Sequence, residues 1–271
     1  MTRGTYVKLV AVMLALAAVI SVLMLQIEWF GDADSAQAGP IDTLFDVSIV
    51  LSSLVFSIVM VMLIYAIWKW RARPGDESDG APIHGNTRLE VAWTAIPTAI
   101  VLVVAIYSWI VLNDIEAKAS DRMPLHVTAQ QFKWTFEYPE AQVGKDSGGE
   151  PTYLTTSQLH VPVDRQLEVT LSALDVVHSF WVPEWRIKRD AVPAGASGDE
   201  IDDEFVVTPD KEGTYALICT EYCGTGHSTM RATVVVESQQ EFDQWVARET
   251  RAQKQSASAS GGGSSAGQGG T

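Results

Sequence analysis

Three long runs of apolar residues without a charged side chain dominate the first part of the chain: residues 9–27, 47–68 and 91–112. Each run is about 20 residues long, which is the length that an α-helix needs to cross the hydrocarbon layer of a bilayer. Helices of soluble proteins rarely remain uncharged over such a length. The pattern therefore predicts that the N-terminal part of the chain lies in a membrane.

Aromatic and cationic side chains indicate which way the second and third runs cross. The second run ends at Trp68, and Lys69, Trp70 and Arg71 follow it directly. Trp is enriched at the membrane–water interface, and Lys and Arg are enriched on the cytoplasmic side. We therefore expect an antiparallel transmembrane hairpin over residues 39–113 in a bacterial-type cell membrane, with its loop inside and the rest of the chain outside.

The first 38 residues allow two interpretations. The length of the first apolar run favours an additional N-terminal helix. The small residues of Ser35-Ala36-Gln37-Ala38 instead resemble a signal-peptidase site, which favours a signal peptide that is removed. Both interpretations stay open, with cleavage slightly favoured.

Beyond residue 113 the pattern changes to short alternating or aromatic runs that are separated by Gly, Pro and Asp. Such punctuation is typical of short strands joined by turns. Residues 114–247 are therefore expected to form a β-sandwich or β-barrel with Greek-key connections. A short amphipathic helix is predicted over 239–250, and the composition of 248–271 predicts a disordered Gly/Ser-rich tail.

Charge narrows the possible partners. The net charge is −14, from 33 acidic and 19 basic side chains. Most of the excess lies between residues 114 and 247, which contain 23 acidic and 10 basic side chains. Nucleic-acid binding requires a basic face, so this class is excluded. An acidic surface can steer a basic protein partner and speed its association.

The candidate chemistry is concentrated within twelve positions. The stretch contains Cys219, Cys223, His227 and Met230. Its two cysteines are the only cysteines of the chain. Thiolate and thioether ligands select copper, zinc or iron–sulfur clusters, and imidazole suits copper, zinc and iron. A methionine beside cysteine and histidine is typical of copper sites that transfer electrons.

Two cysteines exceed what a mononuclear blue copper site needs, but two thiolates can bridge a pair of copper ions. Each ion then needs its own imidazole, and His178 is the best second candidate. A disulfide in an exported domain and a structural zinc site are the plainer alternatives, although zinc has no use for a methionine. The C-x-x-C-H motif for haem attachment is absent.

These residues resemble a known family. The pattern C-x-E-x-C-x₃-H-x₂-M, with Asp-Val-x-His upstream, resembles the dinuclear copper (CuA) site of cytochrome c oxidase subunit II. The resemblance extends over roughly residues 41–247. It implies two bridging cysteines, one histidine on each copper and two weaker axial ligands. The implied ligands are His178, Cys219, Glu221 through its backbone carbonyl, Cys223, His227 and Met230.

The resemblance also implies a fold and a function. The fold would be an α+β membrane protein, in which the helical hairpin is followed by a cupredoxin-like Greek-key domain. The protein would accept electrons from a c-type cytochrome and pass them to haem in subunit I of a cytochrome c oxidase, where O₂ is reduced to water and protons are pumped. Subunit III is a further expected partner, and haem is expected only in the partner subunit. The carboxylate of Glu221 would share a Mg²⁺ or Mn²⁺ ion with subunit I.

Two further positions carry expectations from the resemblance. Glu90 lies in an E-x-x-W-T-x-x-P pattern and would mark the entrance of a proton pathway; alternatively it is an interfacial acid paired with Arg88. Phe132 stands where the family usually has the Trp at which electrons enter, so the donor is expected either to dock differently or to be a cytochrome held in a larger assembly. Glu137 and Asp175 match acidic docking positions of the family.

Rival functions come from other classes of protein. A quinol oxidase subunit II shares the hairpin and the β-domain but typically lacks the copper ligands. A copper-delivery protein or a membrane-anchored copper electron carrier would keep some ligands, but it has little need for two hydrophobic spans and the Glu90 motif. A nitrous oxide reductase would need a much larger second domain.

Overall fold

The computed structural model describes residues 2–72, 74–75, 80, 82, 84–193 and 203–261. The chain divides into two compact units. The first consists of Met1–Trp29 and Pro40–Asp114, and the second of Phe30–Gly39 and Ile115–Thr271.

The first unit is helical, as the apolar runs predict. Its helices are α1 (Arg3–Leu25), α2 (Ala38–Trp70) and α3 (Thr87–Ile115). All three are long and apolar enough to cross a membrane, and most of their apolar side chains are exposed on the isolated chain. A helix that is hydrophobic around its whole circumference needs an apolar surrounding, which lipid supplies.

The second unit is a β-sandwich. Its first sheet has the order β3-β2-β1-β5-β8, and its second has the order β4-β10-β9-β6-β7. Neighbours that are distant in sequence are the mark of Greek-key connections, so the predicted architecture is confirmed. The strands of the described residues are β1 (Met123–Gln130), β2 (Lys133–Lys145), β3 (Pro151–Thr156), β4 (Leu159–Pro162), β5 (Leu167–Ala173), β6 (His178–Val182), β7 (Ile187–Ala191), β8 (Asp203–Val207), β9 (Gly213–Cys219) and β10 (Arg231–Glu237).

Alternation along the strands builds the core between the two sheets. In β5, for example, every second side chain from Leu167 to Ala173 is buried. The largest side chains of the core are Trp134, Trp185, Phe136 and Phe180, all at most 2% exposed. Each buried aromatic or aliphatic side chain contributes roughly 1.5–3 kcal/mol relative to exposure. This rigid body carries the loops in which the candidate ligands lie.

Helix α4 (Gln239–Gly261) follows the last strand and is longer than the sequence predicts. It therefore covers the first part of the segment 248–271 that composition predicts to be disordered, whereas residues 262–271 lie outside the described residues. Ala, Gln, Arg and Lys between 247 and 258 favour a helix. The side-chain amide of Gln253 also holds this helix on the sandwich: its Oε1 accepts the N–H of Thr155, and its Nε2 donates to the carbonyl of Thr155.

The segment Phe30–Gly39 is docked on the sandwich. Ser35 Oγ donates to the carbonyl of Trp185 at 2.9 Å, and the N–H of Ala36 donates to the carbonyl of Thr208 at 3.0 Å. The side-chain oxygen of Gln37 accepts the N–H of Thr208. The residues that resemble a cleavage site are thus part of the folded unit, and their removal in the mature protein stays a prediction.

Candidate metal centre

Neighbouring strands bring the candidate ligands to one end of the sandwich. β6 begins at His178, and β9 ends at Cys219. The two strands are antiparallel, with Phe180 opposite Cys219. Residues two apart in a strand point to the same face, so His178 and Phe180 share the face that Cys219 also lines. The chain then loops back through Cys223 and enters β10 immediately after Met230.

The donor atoms of these residues converge. The two cysteines are free, with their Sγ atoms 3.8 Å apart. Each thiol faces one imidazole: His178 Nδ1 lies 3.9 Å from Cys219 Sγ, and His227 Nδ1 lies 3.6 Å from Cys223 Sγ. The ligand atoms of His178, Cys219 and Cys223 all lie within 4.8 Å of one another. The site therefore has two sulfurs in the middle and one imidazole on each side.

Two weaker donors complete the set. Met230 Sδ lies 3.8 Å from Cys223 Sγ, and the backbone carbonyl of Glu221 lies 3.3 Å from Cys219 Sγ. The thioether therefore lies at the Cys223 sulfur, and the carbonyl lies at the Cys219 sulfur.

The spacing of the donor atoms suits metal binding. Ligands that share one metal at about 2.0–2.3 Å lie roughly 3.3–3.8 Å apart in a tetrahedral site. Three of the four sulfur–sulfur and sulfur–nitrogen distances above fall within this range, and the fourth, 3.9 Å between Cys219 Sγ and His178 Nδ1, lies just beyond it. His178 and Met230 are fully buried, and each cysteine is only 3% exposed. The donor set of thiols, imidazoles and thioether is that of copper, so a copper centre fits the residues present.

A carboxylate behind His178 orients its ring. Asp175 Oδ1 lies 2.9 Å from His178 Nε2, and the backbone N–H groups of Gln131 and Val176 also donate to Asp175. Burial alone would raise the pKa of Asp175, but these hydrogen bonds outweigh it and the pKa is lowered. An ionised carboxylate accepts the Nε2 proton, so the Nδ1 lone pair of His178 is left to face the sulfurs.

The Cys223 thiol must lose its proton when metal binds. Burial, together with the neighbouring Cys219, raises the pKa of the Cys223 thiol to about 11. Without metal this thiol is protonated at neutral pH. Copper binding must therefore displace protons, because thiolates are the ligands.

Glu221 presents two groups in different directions. Its carbonyl accepts a hydrogen bond from the Cys219 thiol, while the residue as a whole is exposed. Next to it, Tyr222 is 76% exposed, and its ring lies 5.7 Å from the ring of His227. In the loop between the cysteines, the backbone carbonyl of Glu221 is thus directed at the Cys219 sulfur, while Glu221 and Tyr222 are exposed as residues.

An apolar collar surrounds the buried donors. The loop before His178 and the loop after Cys219 both expose large apolar side chains, and the turn between β1 and β2 adds one more. The collar consists of Phe132, Leu174, Val176, Val177 and Tyr222, whose exposed fractions run from 36% to 76%.

Glu90 lies in the first unit, in the first turn of α3. Its Oε1 accepts the N–H of Asn86 at 3.0 Å, and the side-chain oxygen of Asn86 accepts the N–H of Leu89. Glu90 and Asn86 therefore cap the start of the helix together.

Sequence reasoning missed two supports of the centre. It interpreted Asp175 only as a docking acid, whereas the structure places its carboxylate on His178. It assigned no role to Gln131, whose side-chain amide donates to the carbonyl of Cys223 at 2.7 Å. The aspartate three residues before the histidine was a usable signal, but nothing in the sequence links Gln131 to a loop 92 residues away.

The fold and the donor set define a class: a membrane-anchored, cupredoxin-like protein with a copper-type site outside the membrane. Two family descriptions match the chain. "Cytochrome C oxidase subunit II, transmembrane domain" matches residues 21–111, and "Cytochrome C oxidase subunit II, periplasmic domain" matches residues 123–239. The cytochrome c oxidase subunit 2 of Thermostichus vulcanus is 30% identical over 265 residues, covering 78% of this chain and 75% of that protein. The chain belongs to the cytochrome c oxidase subunit II family.

Two other comparisons complete the description. A protein of Staphylococcus saprophyticus named "Probable quinol oxidase subunit 2" is 27% identical over 204 residues, covering 73% of this chain and 50% of that protein. The crystal structure of the periplasmic domain of a Bradyrhizobium japonicum cytochrome oxidase subunit II is 26% identical, with a TM-score of 0.39, and covers 51% of this chain and 98% of that one. The family match confirms that this is a membrane protein with its C-terminal domain outside.

Proposed function

We propose that the chain is the electron-entry subunit of a cytochrome c oxidase. It accepts single electrons from a reduced c-type cytochrome outside the membrane and passes them to haem in subunit I, where O₂ is reduced to water and protons are pumped. The observation that carries this proposal is the pair of free, buried thiols 3.8 Å apart, each facing its own imidazole.

Six residues hold the proposed dinuclear copper centre. Bound copper would supply one-electron redox chemistry, with the electron shared over two ions. The side chains exclude water, because four of the five side-chain ligands are at most 3% exposed. Asp175 holds the ring of His178 in one orientation. The ligands are His178, Cys219, Glu221 through its carbonyl, Cys223, His227 and Met230.

The surface around the centre suits a basic cytochrome. The apolar collar lets an apolar edge of the donor approach the buried ligands closely. Residues 114–247 carry 23 acidic and 10 basic side chains, which would attract a basic partner from a distance. With Phe132 in place of Trp, we propose that the donor contacts the collar as a whole rather than a single indole.

The hairpin 39–113 would anchor the subunit in lipid against subunit I and, in the same complex, subunit III, while 114–247 forms the copper domain. The exposed carboxylate of Glu221 suits a hard cation such as Mg²⁺ or Mn²⁺, which subunit I would share. Residues 1–38 are either a cleaved signal or an additional helix, and the mass of the mature chain distinguishes the two.

Copper analysis of the assembled, full-chain oxidase tests the main proposal. We expect two copper ions bound to this subunit and an EPR hyperfine pattern from one electron shared equally by two copper nuclei. We also expect the complex to oxidise reduced cytochrome c faster than quinol. A single copper per subunit, or a Cys219–Cys223 disulfide in the native complex, would overturn the proposal.

The second candidate is a quinol oxidase subunit II, which the Staphylococcus saprophyticus relative brings forward. The complete set of copper donors in this chain argues against it, because a quinol oxidase subunit II typically lacks these ligands. Turnover with quinol but not with cytochrome c, in a complex without copper in this subunit, would favour the second candidate.

Glu90 is proposed as the entrance of a proton pathway into subunit I. Glu90→Gln is a clean test, because the glutamine oxygen can still accept the N–H of Asn86 and so preserve the helix cap. We expect slower steady-state O₂ reduction and slower proton uptake, with unchanged copper content and unchanged electron entry from cytochrome c. Unchanged turnover would eliminate the role.

A further inference from the structure

One glycine of the copper loop is not required by its own backbone. Gly226 has φ −91° and ψ 7°, a conformation that other residues can adopt. A Cβ atom at this position would nevertheless lie 2.5 Å from both Cγ and Cδ2 of Phe132. Real Cβ atoms do not approach other atoms so closely. The aromatic ring, not the backbone angle, therefore forbids a side chain at 226.

The neighbouring glycine shows the contrast. Gly224 has φ +130°, a conformation that L-residues avoid. A Cβ there would lie 3.2 Å from Cε1 and Cζ of Phe132. Backbone conformation alone would thus select glycine at 224. The Phe132 ring lies over both glycines, and these lie between the ligands Cys223 and His227.

The residue before the ring makes polar contacts at the same place. Gln131 Nε2 donates to the carbonyl of Cys223 at 2.7 Å, and the N–H of Gln131 donates to Asp175 Oδ2 at 2.8 Å. Asp175 in turn holds His178. The dipeptide Gln131–Phe132 therefore contacts both loops that carry ligands.

Gly226 also anchors the turn that presents His227. Its carbonyl accepts the N–H of Thr229 at 3.0 Å and the hydroxyl of Thr229 at 2.9 Å. The short 3₁₀ helix His227–Thr229 begins directly after it. Any shift of the backbone at 226 is passed on to the imidazole of His227, because close-packed atoms transmit displacements.

We propose that Phe132 is a positioning residue for His227. Its ring seats the backbone of Gly226, and the amide of Gln131 fixes the carbonyl of Cys223, so that the two contacts together set the separation of the Cys223 sulfur and the His227 imidazole. This inference rests on the proposed copper function. It gives Phe132 a role that does not depend on electrons passing through its ring.

A double-mutant cycle in the full chain of the assembled oxidase tests the proposal. Gly226→Ala alone should change the copper EPR hyperfine pattern and the visible absorption of the centre, because the new methyl group meets Cγ, the ring atom with the least freedom to move away. In Phe132→Ala the ring is absent, so adding Gly226→Ala should change the spectra little further. The coupling between the two substitutions is thus expected to be large.

Gly224→Ala is the matched control. A methyl group at 224 is strained by φ +130° and by Gln131 Nε2 at 3.0 Å as well as by the ring, and removal of the ring relieves neither of the first two. Gly224→Ala should therefore disturb the centre in the presence and in the absence of Phe132. A second readout uses the copper-free protein, in which Gly226→Ala should change the rates at which Cys219 and Cys223 react with a thiol reagent, and Phe132→Ala should suppress this change.

The proposal would be overturned by spectra of Gly226→Ala that match the wild type, or by an equal effect of Gly226→Ala with and without Phe132. A Phe132→Ala enzyme with unchanged spectra and only slower oxidation of cytochrome c would also overturn it, since that result belongs to electron entry alone. A wild-type complex without a dinuclear copper signal would instead refute the proposed function. The copper-free thiol rates would still report on the contact between the ring and Gly226.

Discussion

Two histidines of the sandwich, His160 and His178, show how a structural histidine differs from a candidate ligand. The ring of His160 is stacked on Trp245 of α4 at 4.2 Å, and its Nδ1 lies 3.0 Å from a carboxylate oxygen of Glu237. His178 is also paired with a carboxylate, that of Asp175, but its Nδ1 faces a sulfur at 3.9 Å. His160 is thus held by an aromatic ring and a carboxylate, whereas His178 keeps one ring nitrogen directed at a cysteine sulfur.

The difference teaches that the atoms a histidine nitrogen faces indicate metal binding better than the burial of the residue does. Around His160, the rings of Tyr138, Phe242 and Trp245 pack with centroids 5.3–6.2 Å apart and close the contact between α4 and the sandwich. Around His178, the donors meet at distances too long for strong hydrogen bonds among themselves. We therefore expect substitutions in the first cluster to affect stability, and substitutions in the second to affect copper.

The largest effect is expected for Cys219→Ser. Loss of one central sulfur removes a donor that both copper ions would share, so we expect loss of the dinuclear signal and a fall of cytochrome c oxidation to background. His160→Gln is the matched control, and it should keep both copper ions. Copper content and O₂ consumption of the assembled oxidase measure the two variants. Two copper ions retained in Cys219→Ser would break the comparison.

Trp245→Ala should show the opposite behaviour. The side chain is 8% exposed and packs on His160, Tyr138 and Phe242, so its removal leaves a cavity under α4. Truncation of a buried Trp costs roughly 3–5 kcal/mol. Thermal unfolding of the full chain should occur at a lower temperature, while the copper EPR signal is unchanged.

The exposed Gln244 on the same helix provides the control, since Gln244→Ala should leave the unfolding temperature almost unchanged. An altered copper signal in Trp245→Ala would mean that the two clusters are coupled, against the comparison.

The helical spans and the cluster of candidate donors can be recognised in the sequence because both are local patterns. Uncharged runs reveal α1, α2 and α3, and Cys219, Cys223, His227 and Met230 lie within twelve residues. His178 could be chosen from the residues, but its pairing with Cys219 depends on the register of β6 and β9. The contacts of Gln131 and Phe132 could not be predicted, because they join a turn to a loop some 90 residues away through space. The length of α4 was also missed, since composition does not show the anchoring of Gln253 on Thr155.

Asp175→Asn tests whether the carboxylate paired with His178 supports copper binding, which is not expected of the carboxylate of Glu237 that is paired with His160. The amide keeps the shape of the side chain but removes the charge that fixes the Nε2 proton of His178. Substitution of such a partner typically costs about 10–100-fold in metal affinity. Copper titration of the purified full chain measures it.

Glu137→Gln is the control for Asp175→Asn, because Glu137 is partly exposed and pairs with His126 at 3.3 Å, and neither residue is a candidate ligand. It should alter only the salt dependence of cytochrome c oxidation. Equal copper affinities for wild type and Asp175→Asn would show that the carboxylate does not support the centre.

The smallest effect is expected for Glu168→Gln, at a second carboxylate with a lowered pKa. Hydrogen bonds from Lys118 and Arg122 lower the pKa of Glu168, in spite of partial burial that would raise it. The ionised form is therefore favoured by folding, and its contribution to stability is present above the pKa of the unfolded chain, about 4.5. It is lost as the pH falls through the lower pKa of the folded state.

We accordingly expect Glu168→Gln to lower the unfolding temperature by a few degrees at most at pH 7, because exposed ion pairs contribute little. The difference from wild type should shrink as the pH falls below about 4.5 and should disappear only below the lower pKa of the folded state, where the folded wild-type carboxylate is also neutral. Copper content should not change at any pH at which the chain is folded, since the carboxylate of Glu168 pairs with Lys118 and Arg122 in the segment before β1, and neither is a candidate ligand. A stability difference that grows on acidification would contradict this sign. A loss of copper in Glu168→Gln would mean that Glu168, like Asp175, supports the centre, against the comparison.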